Sequence, residues 1–262
     1  MGNRTKAEEA FGELLGIMKT LREKCPWDNK QTLESLRSLS IEEVYELGDA
    51  ILANDLDEVK KELGDLIMHI AFYAQIGEEK GAFAMGDVLT AICDKLRYRH
   101  PHIYGDVHVK DENDVSNNWE KLKLKEKGRK GGVLAGVPVS LPALVKAYRV
   151  QDKVRGVGFD WKKREDVWDK VREELGELED EIRRNDMEKA EEEFGDFMFS
   201  IINAARLYGI NPENALEKTN RKFINRFNYL EKRATEEGKR LGEMTLDEMD
   251  VYWREAKLQE GV

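Results

Sequence analysis

The sequence predicts an all-α protein made of tandem duplicated helical-bundle domains. Three observations predict it. Apolar residues recur at intervals of three and four, the spacing that gathers side chains on one face of a helix. Proline is scarce, with five in 262 residues, so little interrupts those helices. The chain also repeats itself at an offset of 131 residues, which marks a duplicated unit.

The repeat is clearest around EEVYELGDAILANDLDEVKKELGD, residues 42–65. Val44, Leu47 and Ile51 form one apolar stripe. Leu56, Val59, Leu63, Leu66 or Ile67, and Ile70 form the next. Asn54-Asp55 separates them and reads as a turn, so the segment predicts a helical hairpin with both stripes in the core. In the second half the stripes become Leu175, Leu178 and Ile182, then Met187, Ala190, Phe194, Phe197 or Met198, and Ile201. The turn becomes Asn185-Asp186, and Gly64 becomes Gly195. No apolar stripe is left over for a partner. Further on, KLRYRH (95–100) is echoed by KFINRF (222–227). Trp119, Lys123 and Glu126 are echoed by Trp253, Lys257 and Glu260. The Gly-rich stretch KEKGRKGGVLAGVPVSLP carries two prolines and no helical stripe, which suits a linker. The predicted division is therefore a domain at 1–124, a linker at 125–142 and a domain at 143–262.

Composition narrows the function. The net charge is −10 and 37% of residues are charged, which argues against a general nucleic-acid surface. No apolar run approaches a membrane span, and the N-terminal stretch lacks the apolar core of a secretory signal. Cys25 and Cys93 are too few for a disulfide framework or a zinc site, so a reducing, cytoplasmic location is expected. The sequence has no GxxxxGK[ST] phosphate loop, no GxSxG elbow and no helix-borne Glu-x-x-His pairs.

The acids carry the chemistry. Glu43 and Glu46 are three apart and share a helix face, as do Glu62 and Asp65. Asn54 lies midway between Glu46 and Glu62, and between Glu43 and Asp65. In an antiparallel hairpin the inner pair sits roughly 12 Å from the turn on both arms, so the four acids come level. Asn185 bears the same relation to Glu174, Glu177, Glu193 and Asp196. Like charges 4 Å apart repel by about 4 kcal/mol at an effective dielectric of 20, which calls for a cation or a proton. Hard oxygen ligands suit Mg2+ or Mn2+. A glutamate-rich helix is ordinarily only a solvated face. Against that stands the repeated Gly-Asp at 64–65 and 195–196, since glycine inside a helix costs about 1 kcal/mol relative to alanine.

Other residues read less sharply. Lys222 and Arg226 at i and i+4 present two cations on one face that suit a triphosphate, although such pairs are commonly just solvated. Trp253 and Trp119 have the shape to stack on a base, although tryptophan on an amphipathic helix is more often core. His69 follows Asp65 by one turn and reads as a histidine behind the site or in the core. His100 and His102 read as a loop at a helix end, and Cys93 as a small buried side chain.

The motifs CPWDNKQT (25–32), EEVYE (42–46), KELGD (61–65), KLRYRHPH (95–102), VGFDW (157–161), EELGE (173–177), EEFGD (192–196) and NRKFINRF (220–227) occur in that order. With them the chain closely resembles, over nearly its whole length, the MazG family of the all-α NTP pyrophosphatase superfamily. The resemblance implies paired helical-bundle units, a homodimer, and hydrolysis of an NTP or dNTP to the monophosphate and pyrophosphate. It implies Mg2+ held by Glu174, Glu177, Glu193 and Asp196, with Glu174 or Glu177 as the catalytic base. Lys189, Lys222 and Arg226 match phosphate-contacting positions, and Trp253 a base-contacting one. Two-domain relatives favour the second half for activity. Here Glu43, Glu46, Glu62 and Asp65 are also intact, and Lys95 and Arg99 stand with them in the first half. The alternative is a non-catalytic nucleotide or metal sensor, or an interaction module, on the same bundle.

Overall fold

The computed structural model describes residues 2–109, 114, 115, 122 and 131–259. Trp119, Lys123, Glu126, Glu260 and the start of the Gly-rich stretch (125–130) lie outside the described residues. Every regular element among the described residues is a helix, as the apolar spacing predicts. The chain divides into two compact units, Met1–Lys110 and Asp111–Val262.

Unit 1 contains α1 (Gly2–Lys24), a short turn of 3-10 helix at Asp28–Lys30, α2 (Leu33–Ala53), α3 (Leu56–Glu79), α4 (Met85–Arg99) and α5 (Pro101–Tyr104). Thr32 starts α2. Its hydroxyl accepts from the Ser35 amide at 3.1 Å, while Ser35 Oγ accepts from the Thr32 amide at 2.9 Å. This reciprocal cap satisfies two amide donors that the first turn would otherwise strand. Asn54 ends α2 in the left-handed conformation, with φ of 56°. Asp55 then caps α3 by accepting from the amides of Asp57 and Glu58, both at 3.1 Å.

Unit 2 contains α6 (Ala143–Arg155), a 3-10 turn at Arg164–Asp166, α7 (Val167–Arg184), α8 (Met187–Leu207), α9 (Pro212–Glu236), a 3-10 turn at Leu241–Glu243 and α10 (Leu246–Gln259). Asn185 ends α7 with φ of 58°, and Asp186 caps α8 through the Lys189 amide at 3.2 Å. Asn54 and Asn185 are the only non-glycine residues with positive φ among the described residues. The duplication thus extends to the dihedrals of the corner.

In unit 1 the core gathers Met18, Leu36, Phe72 and Ile76, flanked by a second cluster of Ala71, Ala74 and Met85. In unit 2 one cluster is Val167, Val171 and Ala204, and another is Leu230, Ala234 and Tyr252 between α9 and α10. Each unit also has a buried guanidinium that ties loop to helix. Arg22 donates to the carbonyls of Asp28 and Gln31 and to both oxygens of Glu79, at 2.9 and 2.5 Å. Arg206 grips both oxygens of Asp160, at 3.1 and 2.5 Å.

Two expectations need correction. The hairpin stripes are only partly core: Leu178 and Ala190 are buried, but Val44, Ile51, Leu56, Leu63, Ile67 and Ile70 are exposed, Leu56 by 75%. Leu175, Ile182, Met187, Phe194 and Ile201 are exposed as well. The inner seams are filled by Ala50 and by the stripe residues Leu178 and Ala190. Helical spacing identifies residues that share a face, but it does not say what covers that face. Each unit leaves an apolar face uncovered, so a surplus stripe exists after all. Cys93 is likewise exposed on α4, not buried, because α4 turns that side toward solvent.

Candidate metal centre

The symmetric corner does bring acids from both arms together. On the α2–α3 hairpin, one carboxylate oxygen each from Glu43, Glu62 and Asp65 lies within 4.8 Å of the others. On the α7–α8 hairpin the same holds for Glu174, Glu177 and Glu193. Each cluster therefore gathers three of its four predicted acids at that range. Glu46 and Asp196 stand outside the tight group but still act on it through their charges.

Repulsion is visible in the titration behaviour. The Glu43 carboxyl is pushed up, first by burial and then by the charges of Asp65, Glu46 and Glu62. Glu46 is pushed up mainly by the Glu62 charge. Glu193 is raised by burial, then by Glu177, Asp196, Glu174 and Glu181. Glu62 moves down instead, because Lys61 Nζ donates to its Oε1 at 3.0 Å. Its other oxygen, Oε2, is buried and has no hydrogen-bond partner among the described residues, and the residue is only 3% exposed. A buried carboxylate oxygen without a donor is costly. Hard oxygens, mutual repulsion and an orphaned buried oxygen together fit a hard divalent cation. In unit 2 the buried Glu174 is neutralised on one side by Lys170, at 2.7 Å.

Sequence reasoning missed several groups around the acids. Lys61 and Lys170 were legible as lysines one and four residues before an acid on the same helix. Ser40 and Tyr73 were not legible. Ser40 Oγ lies 2.7 Å from both His69 Nδ1 and Tyr73 Oη, which fixes the buried imidazole behind the cluster. Burial pushes His69 down, with the Asp65 charge opposing it. Glu181, buried and paired with Arg184, was also missed.

The predicted substrate-contacting cations are distributed over other elements. Lys189, in the first turn of α8, faces Asp186 at 3.8 Å. Lys222 is exposed on α9, and the Arg226 guanidinium lies over the Trp253 ring at 5.8 Å. Trp253 packs on the Leu230–Ala234–Tyr252 cluster with Phe223 5.0 Å away between ring centroids. Lys95 is exposed and Arg99 half-buried on α4. A cavity of about 730 Å3 borders the unit 2 acids, with Glu174 and Asp196 in its wall.

The MazG nucleotide pyrophosphohydrolase domain is matched twice along the chain, at residues 31–104 and 163–230, which span the two hairpins. A Thermotoga maritima protein named nucleoside triphosphate pyrophosphohydrolase/pyrophosphatase MazG is 43% identical over 250 residues, covering 94% of this chain and 95% of that one. An Escherichia coli nucleoside triphosphate pyrophosphohydrolase is 40% identical over 254 residues, covering 94% and 97%. The Bacillus subtilis protein YabN is 46% identical over 251 residues, covering 94% of this chain and 51% of its own length. Two acid-bearing hairpins with one corner geometry and relatives matched almost end to end lead to one statement: the chain belongs to the MazG nucleotide pyrophosphohydrolase family.

Proposed function

We propose that this protein is a nucleoside triphosphate pyrophosphohydrolase that converts an NTP or dNTP and water to the monophosphate and pyrophosphate. The observation that carries the reading is the Glu174–Glu177–Glu193 cluster, whose Glu174 lines, together with the neighbouring Asp196, a cavity of nucleotide size. Mg2+, or Mn2+ in its place, is held by Glu174, Glu177, Glu193 and Asp196, and in unit 1 by Glu43, Glu46, Glu62 and Asp65. When bound, the ion supplies charge neutralisation for the triphosphate oxygens.

The chain's own residues do the rest. Glu174 or Glu177 takes a proton from a water placed in line with the α-phosphorus. The water oxygen forms the new bond as the bond to the bridging oxygen breaks, and the electron pair leaves with pyrophosphate. Lys189, Lys222 and Arg226 in unit 2, with Lys95 and Arg99 in unit 1, complement phosphate charge, and Trp253 contacts the base. The duplicated repeats keep the bounds 1–124 and 143–262. A second copy of the chain covers the apolar hairpin faces, making a homodimer. No helix among the described residues is long and apolar enough to cross a membrane, and the two free cysteines suit the cytoplasm.

The test incubates the protein with each NTP and dNTP plus Mg2+ and separates the products. Monophosphate and pyrophosphate, lost on chelation with EDTA, support the reading, whereas diphosphate and orthophosphate overturn it. With the unit 1 counterpart already disabled by Glu46→Gln, Glu177→Gln is expected to lower kcat by at least about a hundredfold, the scale of a lost general base. Full turnover in that variant removes Glu177 from the chemistry.

A further inference from the structure

Trp253 lies on α10, and the cations Lys222 and Arg226 lie on α9. The indole is half-buried, with the Phe223 ring 5.0 Å away and the Arg226 guanidinium 5.8 Å from its centroid. Its pose beside those groups depends on how α10 is turned and slid along α9. Apolar contact is non-directional, and the buried cluster shared by the two helices is only Leu230, Ala234 and Tyr252.

A closed set of polar bonds supplies the missing direction. Tyr252 is 4% exposed and donates its hydroxyl to Glu237 Oε2 at 2.5 Å. Lys239 Nζ donates to that hydroxyl and to the same carboxylate oxygen, both at 2.9 Å. The phenol thus donates once and accepts once, and the triangle closes. Lys239 Nζ and the Arg233 guanidinium also lie over the Tyr252 ring, at 5.4 and 5.8 Å. The Tyr252 hydroxyl, then Lys239, holds the Glu237 carboxyl below its usual range, so the acceptor is ionised at neutral pH. Further along α10, Glu255 accepts from the Tyr229 hydroxyl at 3.3 Å and faces Arg233 at 3.5 Å, and Gln259 donates to Tyr229 at 3.2 Å. Of these rungs the Tyr252 bond is the shortest, and a charged acceptor makes such a bond strong.

Neighbouring residues on an α-helix are turned by about 100° from one another. A rotation of α10 that seats the Tyr252 hydroxyl on Glu237 therefore also fixes the direction of Trp253. We propose that Tyr252 is a positioning residue for the reaction: its bonds to Glu237 and Lys239 set the pose of Trp253, and through it the affinity for the base of the substrate. The proposal rests on the pyrophosphohydrolase reading and its placing of the base against Trp253. Tyr252 acts through its neighbour, since its own ring is buried in the seam between α9 and α10.

The test uses the full chain carrying Glu46→Gln, so that turnover reports unit 2. Tyr252→Phe keeps the ring and its packing and removes the bonds. It is expected to raise KM for the nucleotides about tenfold, the scale of one hydrogen bond, and to keep kcat within about twofold. Inhibition by inorganic tripolyphosphate, which has no base, is expected to stay unchanged. Trp253→Ala is expected to raise KM at least as much, and Tyr252→Phe added to it should raise KM no further, because the effect passes through the missing indole. Glu237→Gln, which keeps a neutral acceptor, should stay close to the wild-type KM, whereas Glu237→Ala should follow Tyr252→Phe. A Tyr252→Phe effect that persists undiminished beside Trp253→Ala overturns the proposal. So does tripolyphosphate inhibition that weakens in step, or an unchanged KM where Trp253→Ala raises it. If Tyr252→Phe does not fold, Glu237→Ala, at a side chain 36% exposed, decides in the same assays. If Trp253→Ala itself leaves KM unchanged, the base contact and the proposal fail together while the activity stands. If no nucleotide yields pyrophosphate, the activity fails, and calorimetric affinities of the same variants for nucleotides with Mg2+ decide on Tyr252.

Discussion

Arg22 holds the Glu79 carboxyl below the usual carboxylate range, first through its hydrogen bond and then through its charge, with burial opposing. A depressed folded-state pKa stabilises the protein above the unfolded value, about 4.3, and that contribution is lost as pH falls through the folded value. Glu79 is partly exposed, so solvent screening limits the pair to about 1 kcal/mol or less. Glu79→Gln is therefore expected to be less stable than wild type at pH 7, by no more than that amount. Denaturant titrations from pH 7 to pH 3 should show the deficit closing below about pH 4. A deficit that stays constant with pH would assign the loss to packing. At this scale the sequence was partly readable. The acids announced themselves by symmetric placement about Asn54 and Asn185. Ser40 did not, because a hydroxyl behind a buried imidazole has no pattern in sequence and gains meaning only from the His69 ring it meets.

At the scale of the element, the two corners carry the site. Asn54 and Asn185 sit in the left-handed region, where alanine meets a steric cost of about 1–2 kcal/mol that glycine avoids. Asn54→Ala is expected to lower stability by about that much, and Asn54→Gly to leave it nearly unchanged, read from urea midpoints. Equal loss in both variants would show that the asparagine side chain, and not the backbone, holds the turn. Hairpins and turns were legible because spacing, Asn-Asp and the repeat agreed with one another. The destination of the stripes was not. Leu178 and Ile182 are four apart in one stripe, yet Leu178 is buried and Ile182 belongs to a face that the unit leaves open. Period tells which residues travel together, and only packing tells where they go.

For the whole molecule, the open apolar faces are the main unmet demand. If a second copy covers them, sedimentation should report a dimer for the wild-type chain. Ile67→Glu combined with Phe194→Glu is expected to shift it to monomer, since both residues are exposed and helical unfolding is not required to accommodate the charges. A wild-type monomer, or a dimer indifferent to both charges, would remove these faces from the assembly. The duplicated architecture was legible from the offset repeat, whereas the divergence of the interiors became visible only when Phe72 and Asn203 were compared in place.

That divergence also bears on how the protein comes apart. Phe72 in unit 1 keeps dispersion contacts with Met18, Leu36 and Ile76, while Asn203 at the matching place in unit 2 borders the cavity beside Glu174 and Asp196. On warming, amide protons of α7 and α8 should exchange before those of α2 and α3, so the two copies of one ancestral hairpin now loosen at different temperatures. Simultaneous loss of protection in both hairpins would mean that the hollow carries no mechanical cost.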